Sequence, residues 1–161
     1  MNKNVLIVED DAPIRESLRR VLENSGYEVI AAADGQEALE QFSSREADIV
    51  ILDLNLPIQP GWEIFEVLTR TNPLLPVIII TGMPNQFEFA QAAGAGALLE
   101  KPIDVPLLMH TIEDLLSEPS EKRLGRLCGF VSNTRYALAT HSALRGDLRE
   151  RANVPYKSHC Q

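Results

Sequence analysis

Carboxylates, a hydroxyl and an ammonium stand where short apolar runs end. NVLIV (residues 4–8) is followed by Glu9, Asp10 and Asp11; IVIL (49–52) by Asp53, with Asn55 two places on; VIII (77–80) by Thr81 and Gly82; ALL (97–99) by Glu100, Lys101 and Pro102. Glu9, Asp10 and Asp53 brought to one place would repel one another unless a cation joined them, and an all-oxygen donor set suits a hard divalent ion such as Mg²⁺. A carboxylate with such an ion, a lysine and a hydroxyl donor around it makes a cradle for an incoming phosphoryl group, whose charge those groups neutralise. Asp53 stands alone at the end of its run and is the natural nucleophile. Glu9 and Asp10 are adjacent and better placed to hold metal, and the backbone carbonyl of Asn55 offers a further ligand.

Those residues can meet only if the runs that carry them are neighbouring strands. Runs at 4–8, 28–32, 49–52, 77–80 and 97–99 give five candidate strands, the best of them rich in Val and Ile without alternation, as strands covered on both faces are. Such strands need helices between them. Ile14, Leu18, Val21 and Leu22 fall at helical spacing, as do Ile64, Phe65 and Leu68, and Leu107, Leu108, Ile112, Leu115 and Leu116; shorter helices fit 36–43 and 85–93. Asp11 before Ala12-Pro13 reads as a helix cap with a first-turn proline, Gly26 as a stop, and Asn72-Pro73 with Pro76 as the end of the third helix. The expected fold is therefore α/β, a doubly wound five-stranded parallel sheet of flavodoxin type in the order 2-1-3-4-5. In that order the ligand crevice opens at the carboxyl ends of strands 1 and 3, where the acidic residues lie.

The bulk numbers set limits. The 161 residues are 45% hydrophobic and contain no stretch long enough to span a membrane; four apolar residues before the first acids are too few for a secretory leader, so a cytoplasmic protein is expected. Cys128 and Cys160 lack ligand spacing and read as reduced thiols, and His110, His141 and His159 are assigned no chemistry. Net charge is −8, but residues 1–117 hold 19 acids against 7 bases and residues 118–161 hold 4 against 8. An acidic body argues against nucleic acid as a partner, and the basic tail permits only a weak contact. The expected division is a domain over residues 1–118 and a C-terminal extension over 119–161.

Taken in order, Glu9-Asp10, the block DLNLPIQPG with Asp53, Thr81 after VIII, and the closing Lys101-Pro102 resemble the receiver domain of two-component response regulators, the CheY-like fold, over residues 3–117. The resemblance implies that Asp53 accepts a phosphoryl group from a histidine kinase or phosphotransfer protein, and that Asp10, Asp53, the Asn55 carbonyl and, through water, Glu9 hold Mg²⁺. It also implies that Thr81 and Lys101 contact the phosphoryl oxygens. Such a chain is a phosphorylation-dependent signalling switch in a phosphorelay. It is not an enzyme beyond its own phosphoryl transfer and dephosphorylation. Three departures stand out: Glu9 where the family more often has Asp, Pro60 where it has Asp before the glycine, and Leu98 where it tends to carry an aromatic ring.

Each residue taken alone has a plainer reading: Asp53 as a turn cap, Glu9 and Asp10 as a solvated loop, Thr81 as a helix cap, Lys101 as a surface cation. Their joint placement at strand ends favours the site. Two other readings compete: a small Mg²⁺-dependent phosphotransferase or phosphatase using Asp53 as carrier, and a transcription regulator whose minimal basic tail touches DNA. In the extension, Leu124, Leu127, Cys128 and Val131 fall at helical spacing, and 134–151 suggests a further helix interrupted by Gly146. The extension is expected to be helical or partly disordered, with no role assigned to it. A downstream protein partner is implied without being identified, and a homodimer is left open.

Overall fold

A computed structural model describes residues 2–128 and 135–137 of the chain. Strands and helices alternate: β1 (Asn4–Val8), α1 (Ala12–Asn24), β2 (Glu28–Ala32), α2 (Gly35–Ser44), β3 (Ile49–Asp53), α3 (Gly61–Thr71), β4 (Val77–Thr81), α4 (Phe87–Ala92), β5 (Ala97–Glu100) and α5 (Val105–Leu116). Two further elements follow, α6 (Ser120–Leu127) and β6 (Arg135–Ala137). The sheet runs β2-β1-β3-β4-β5-β6 with every pairing parallel. The five expected strands thus take the expected order, and the extension adds a sixth at the β5 side.

The unalternating runs have a simple cause. Successive side chains of a strand point to opposite faces, and both faces here are covered. Leu6, Val8, Val50, Leu52, Val77, Ile79 and Leu98 turn to one face and pack with Ala38 of α2, Ile64, Phe65 and Leu68 of α3, and Ala90 of α4. Val5, Ile7, Ile49, Ile51, Ile78, Ile80 and Leu99 turn to the other, against Leu18 and Leu22 of α1 and Leu108, Ile112 and Leu115 of α5. All five residues of β3 and of β4 are buried. Each large aliphatic side chain so buried contributes roughly 1.5–3 kcal/mol.

Helix starts follow the caps. Asp11 accepts the N–H of Ile14 at 3.0 Å, Asp34 that of Glu37 at 2.8 Å, and Asp104 that of Leu107 at 3.0 Å. The expected helix from 36 to 43 is confirmed as α2, and that from 85 to 93 is shorter, as α4. The helix expected over 134–151 is not what forms at 135–137, which lie in β6. Strand pairing to the free side of β5 overrides local spacing there. The rest of that segment, Val131, and the thiol of Cys160 lie outside the described residues. Among the described residues no helix is long and apolar enough to cross a membrane.

Candidate functional site

Strand register brings the site together. β1 pairs with β3 as far as Val8↔Leu52, so the next residues, Glu9 and Asp53, emerge side by side. Asp53 pairs with Ile80, and Thr81 pairs with Glu100, which places Thr81 and Lys101 one step beyond on the adjoining strands. Backbone bonds prolong these ladders past the strand ends: Glu9 N–H donates to Ala32 O at 3.1 Å, Leu54 N–H to Ile80 O at 3.2 Å, and Lys101 N–H to Thr81 O at 2.9 Å. The Lys101-Pro102 peptide is cis.

Glu9, Asp53 and Thr81 are buried, whereas Asp10 is exposed. Lys101 Nζ donates to Asp53 Oδ2 at 2.8 Å and lies 3.0 Å from Glu9 Oε2. The second contact is an ion pair without hydrogen-bond geometry, so Glu9 Oε2 is buried with no hydrogen-bond donor. Glu9 Oε1 accepts the N–H of Asp11 at 3.2 Å, and Asp53 Oδ1 accepts that of Asn55 at 2.9 Å. One carboxylate oxygen from each of Glu9, Asp10 and Asp53 lies within 4.8 Å of the others. The expected acidic trio is therefore a real cluster, with Lys101 already reaching into it.

Electrostatics follow from this crowding. Burial, with the Asp53 charge adding to it against the opposing pull of Lys101, pushes the Glu9 carboxyl up to about 7. Burial pulls the Lys101 ammonium down, but its hydrogen bond to Asp53 and the charges of Asp53 and Glu9 outweigh that and the net shift is upward. Lys101 stays charged and answers for two carboxylates.

Some supports of the site were not foreseen from sequence. Arg15 Nη1 donates to Glu9 O at 2.7 Å and to Asp10 O at 3.1 Å, tying the acidic loop to α1. Its place in the first turn after EDDAP was the available signal. Thr81 Oγ1 accepts the N–H of Met83 at 2.9 Å, which fixes the hydroxyl at the mouth of β4. Gly61 opens α3 beneath the end of β3, where a Cβ would lie 2.5 Å from Asp53 O and 2.6 Å from Leu54 Cα. Only glycine fits, and Pro60 ahead of it caps the helix with no side-chain hydrogen bond. In the loop between β3 and α3, Ile58 is almost wholly exposed at a φ of 71°, a left-handed conformation uncommon for a β-branched residue. Asn55 is exposed beside Asp53, and Leu98 is fully buried beneath α4.

Comparison with known proteins agrees with this geometry. The family model described as the response regulator receiver domain matches residues 5–113. Response regulator MprA of Mycolicibacterium vanbaalenii is 37% identical over 118 residues, 72% of this chain and 51% of its own length, so the chain spans about half the length of the curated relatives it matches. Among solved structures, a CheY-like response regulator receiver domain protein from Methanospirillum hungatei shares 33% identity at a TM-score of 0.70, covering 76% of this chain and 98% of its own. The response regulator TrrA of Thermotoga maritima, solved in complex with Mg²⁺-BeF, shares 29% at 0.65, covering 70% and 98%. With strand order, acidic cluster and family match pointing the same way, the chain belongs to the receiver domains of two-component response regulators.

Proposed function

We propose that this chain is a phosphorylation-dependent switch in which Asp53 accepts a phosphoryl group from a histidine kinase or phosphotransfer protein. The observation that carries the proposal is Lys101 joined to both Asp53 and Glu9 at adjoining strand ends. In the transfer, an Asp53 oxygen attacks phosphorus, the phosphorus–nitrogen bond of the donor histidine breaks, and its electron pair leaves with the imidazole. Lys101 exchanges its bond to Asp53 for one to a phosphoryl oxygen, and the Thr81 hydroxyl donates to another. Asp53 is almost fully buried, which limits the access of competing water to it.

The donor set fits Mg²⁺: among the described residues it is three carboxylates whose oxygens lie within 4.8 Å of one another, an all-oxygen set suited to a hard divalent ion. Asp10, Asp53, the Asn55 carbonyl and Glu9, through water, would hold the ion, and its chemistry when bound is to neutralise charge on the phosphoryl oxygens. The Mg²⁺-BeF complex of TrrA belongs to that protein, and its likeness here supports the same use of this site.

Residues 1–118 form the switch and 119–161 its extension; the output is altered affinity for a downstream protein. The module works in the cytoplasm, catalyses nothing beyond its own phosphoryl chemistry, and its acidic body disfavours nucleic acid. The test is intact-protein mass after incubation with Mg²⁺ and acetyl phosphate. Wild type gains one phosphoryl group and Asp53→Asn gains none. Equal gain in both, or none in either with Mg²⁺ bound, would sink the proposal, while steady turnover of a phosphate ester would sustain a phosphatase instead.

A further inference from the structure

We infer that α6 and β6 form a self-docked strap that closes the β5 edge of the sheet against strand pairing with a second copy of this chain. β6 lies parallel on β5 in the register Ala97↔Arg135, Leu98↔Tyr136, Leu99↔Ala137. Without it, β5 would present a row of unpaired backbone N–H and C=O groups, which is a template for another strand. Every copy carries the same four-residue edge, so two freed edges can meet about a two-fold axis in antiparallel register and close as a dimer.

The strap is fastened at the opposite end of the sheet from Asp53. The Arg126 guanidinium pairs with the Glu118 carboxylate at 2.5 Å, both side chains being almost fully buried. Arg123 donates to Leu74 O at 3.3 Å before β4 and to Leu115 O at 2.7 Å near the end of α5. Leu127 lies over Gly94, where a Cβ would approach its Cδ2 to 3.1 Å, in the turn leading into β5. α6 therefore ends beside the turn that leads into β5, the strand on which β6 lies.

The fastening is also incomplete. Glu118 Oε2, Arg126 Nε and Arg123 Nε are buried without hydrogen-bond partners. A half-satisfied polar cluster holds less tightly than its number of charges implies, since desolvation offsets much of the attraction. Leu124 and Leu127 remain substantially exposed, so little apolar burial compensates. Such a contact holds the edge closed and can open without unfolding the sheet.

Two variants of this chain test this, both remote from Asp53. Arg126→Ala removes the clasp. Tyr136→Pro with Ala137→Pro removes consecutive strand N–H groups, so whichever of the two faces β5 is lost. Amide exchange at Leu98–Glu100 should quicken by roughly tenfold or more in each, with Val50–Leu52 of β3 unchanged as proof of folding. Sedimentation should then show a monomer for wild type and concentration-dependent dimers for the variants. Unchanged exchange at β5 in the proline variant overturns the strap, and quickened exchange in a chain that stays monomeric overturns the guarding of the edge.

Discussion

Glu9 holds its proton in the folded protein at pH values where an ordinary glutamate has lost it. Its carboxyl rises from 4.5 to about 7 through burial and the Asp53 charge. In this window the folded chain binds more protons than the unfolded one, so the stabilisation is complete below about 4.5 and is lost as pH rises through about 7. In EDTA, the stability of wild type relative to Glu9→Gln should fall by on the order of 3 kcal/mol across that window, as urea titrations would show. A flat difference would mean that Glu9 carries the same charge in both states. Mg²⁺ favours the ionised form and should remove the slope. The types and order of Glu9, Asp10, Asp53, Thr81 and Lys101 were legible in the sequence because each ends an apolar run. The pairing of Lys101 with both carboxylates was not, since it depends on side-chain reach across three strand ends.

Among the elements, α3 shows how backbone proximity dictates sequence. Its first residue passes so close to Asp53 O that no side chain can intervene. Gly61→Ala should destabilise by about 1–3 kcal/mol through overpacking against main chain, and lower the yield of phosphorylated Asp53 if the β3 end shifts. Thermal melts with mass analysis read both; a change below about 0.5 kcal/mol would show that the loop gives way freely. The core strands were plain in the sequence because doubly covered strands are apolar at every position. β6 was not, because three residues carry no period, and what makes them a strand is an open neighbour rather than their own pattern. The buried Glu118–Arg126 pair was equally hidden: an Arg eight residues beyond a Glu says nothing until a second helix folds back.

For the whole molecule, the acidic cluster should make folding stability depend on metal. An ion bound only by the native chain at ten times its dissociation constant adds about 1.4 kcal/mol and raises the melting temperature by several degrees. Calorimetry with and without millimolar Mg²⁺ checks this, with Asp53→Asn expected to blunt the rise; no shift in wild type would count against a metal site there. Chain order and spatial order differ here, since β1 lies between β2 and β3. No hairpin joins any two of these parallel strands, so each ladder closes a long loop before its contacts reward it, and topologies of that kind fold slowly. Glu9 meets Asp53 only once β3 has reached β1, and Lys101 joins them only after β4 and β5 have been laid down. On the ribosome, a nascent chain that has produced its acceptor aspartate still lacks the lysine that partners it, so competence to receive a phosphoryl group arrives with completion of the sheet.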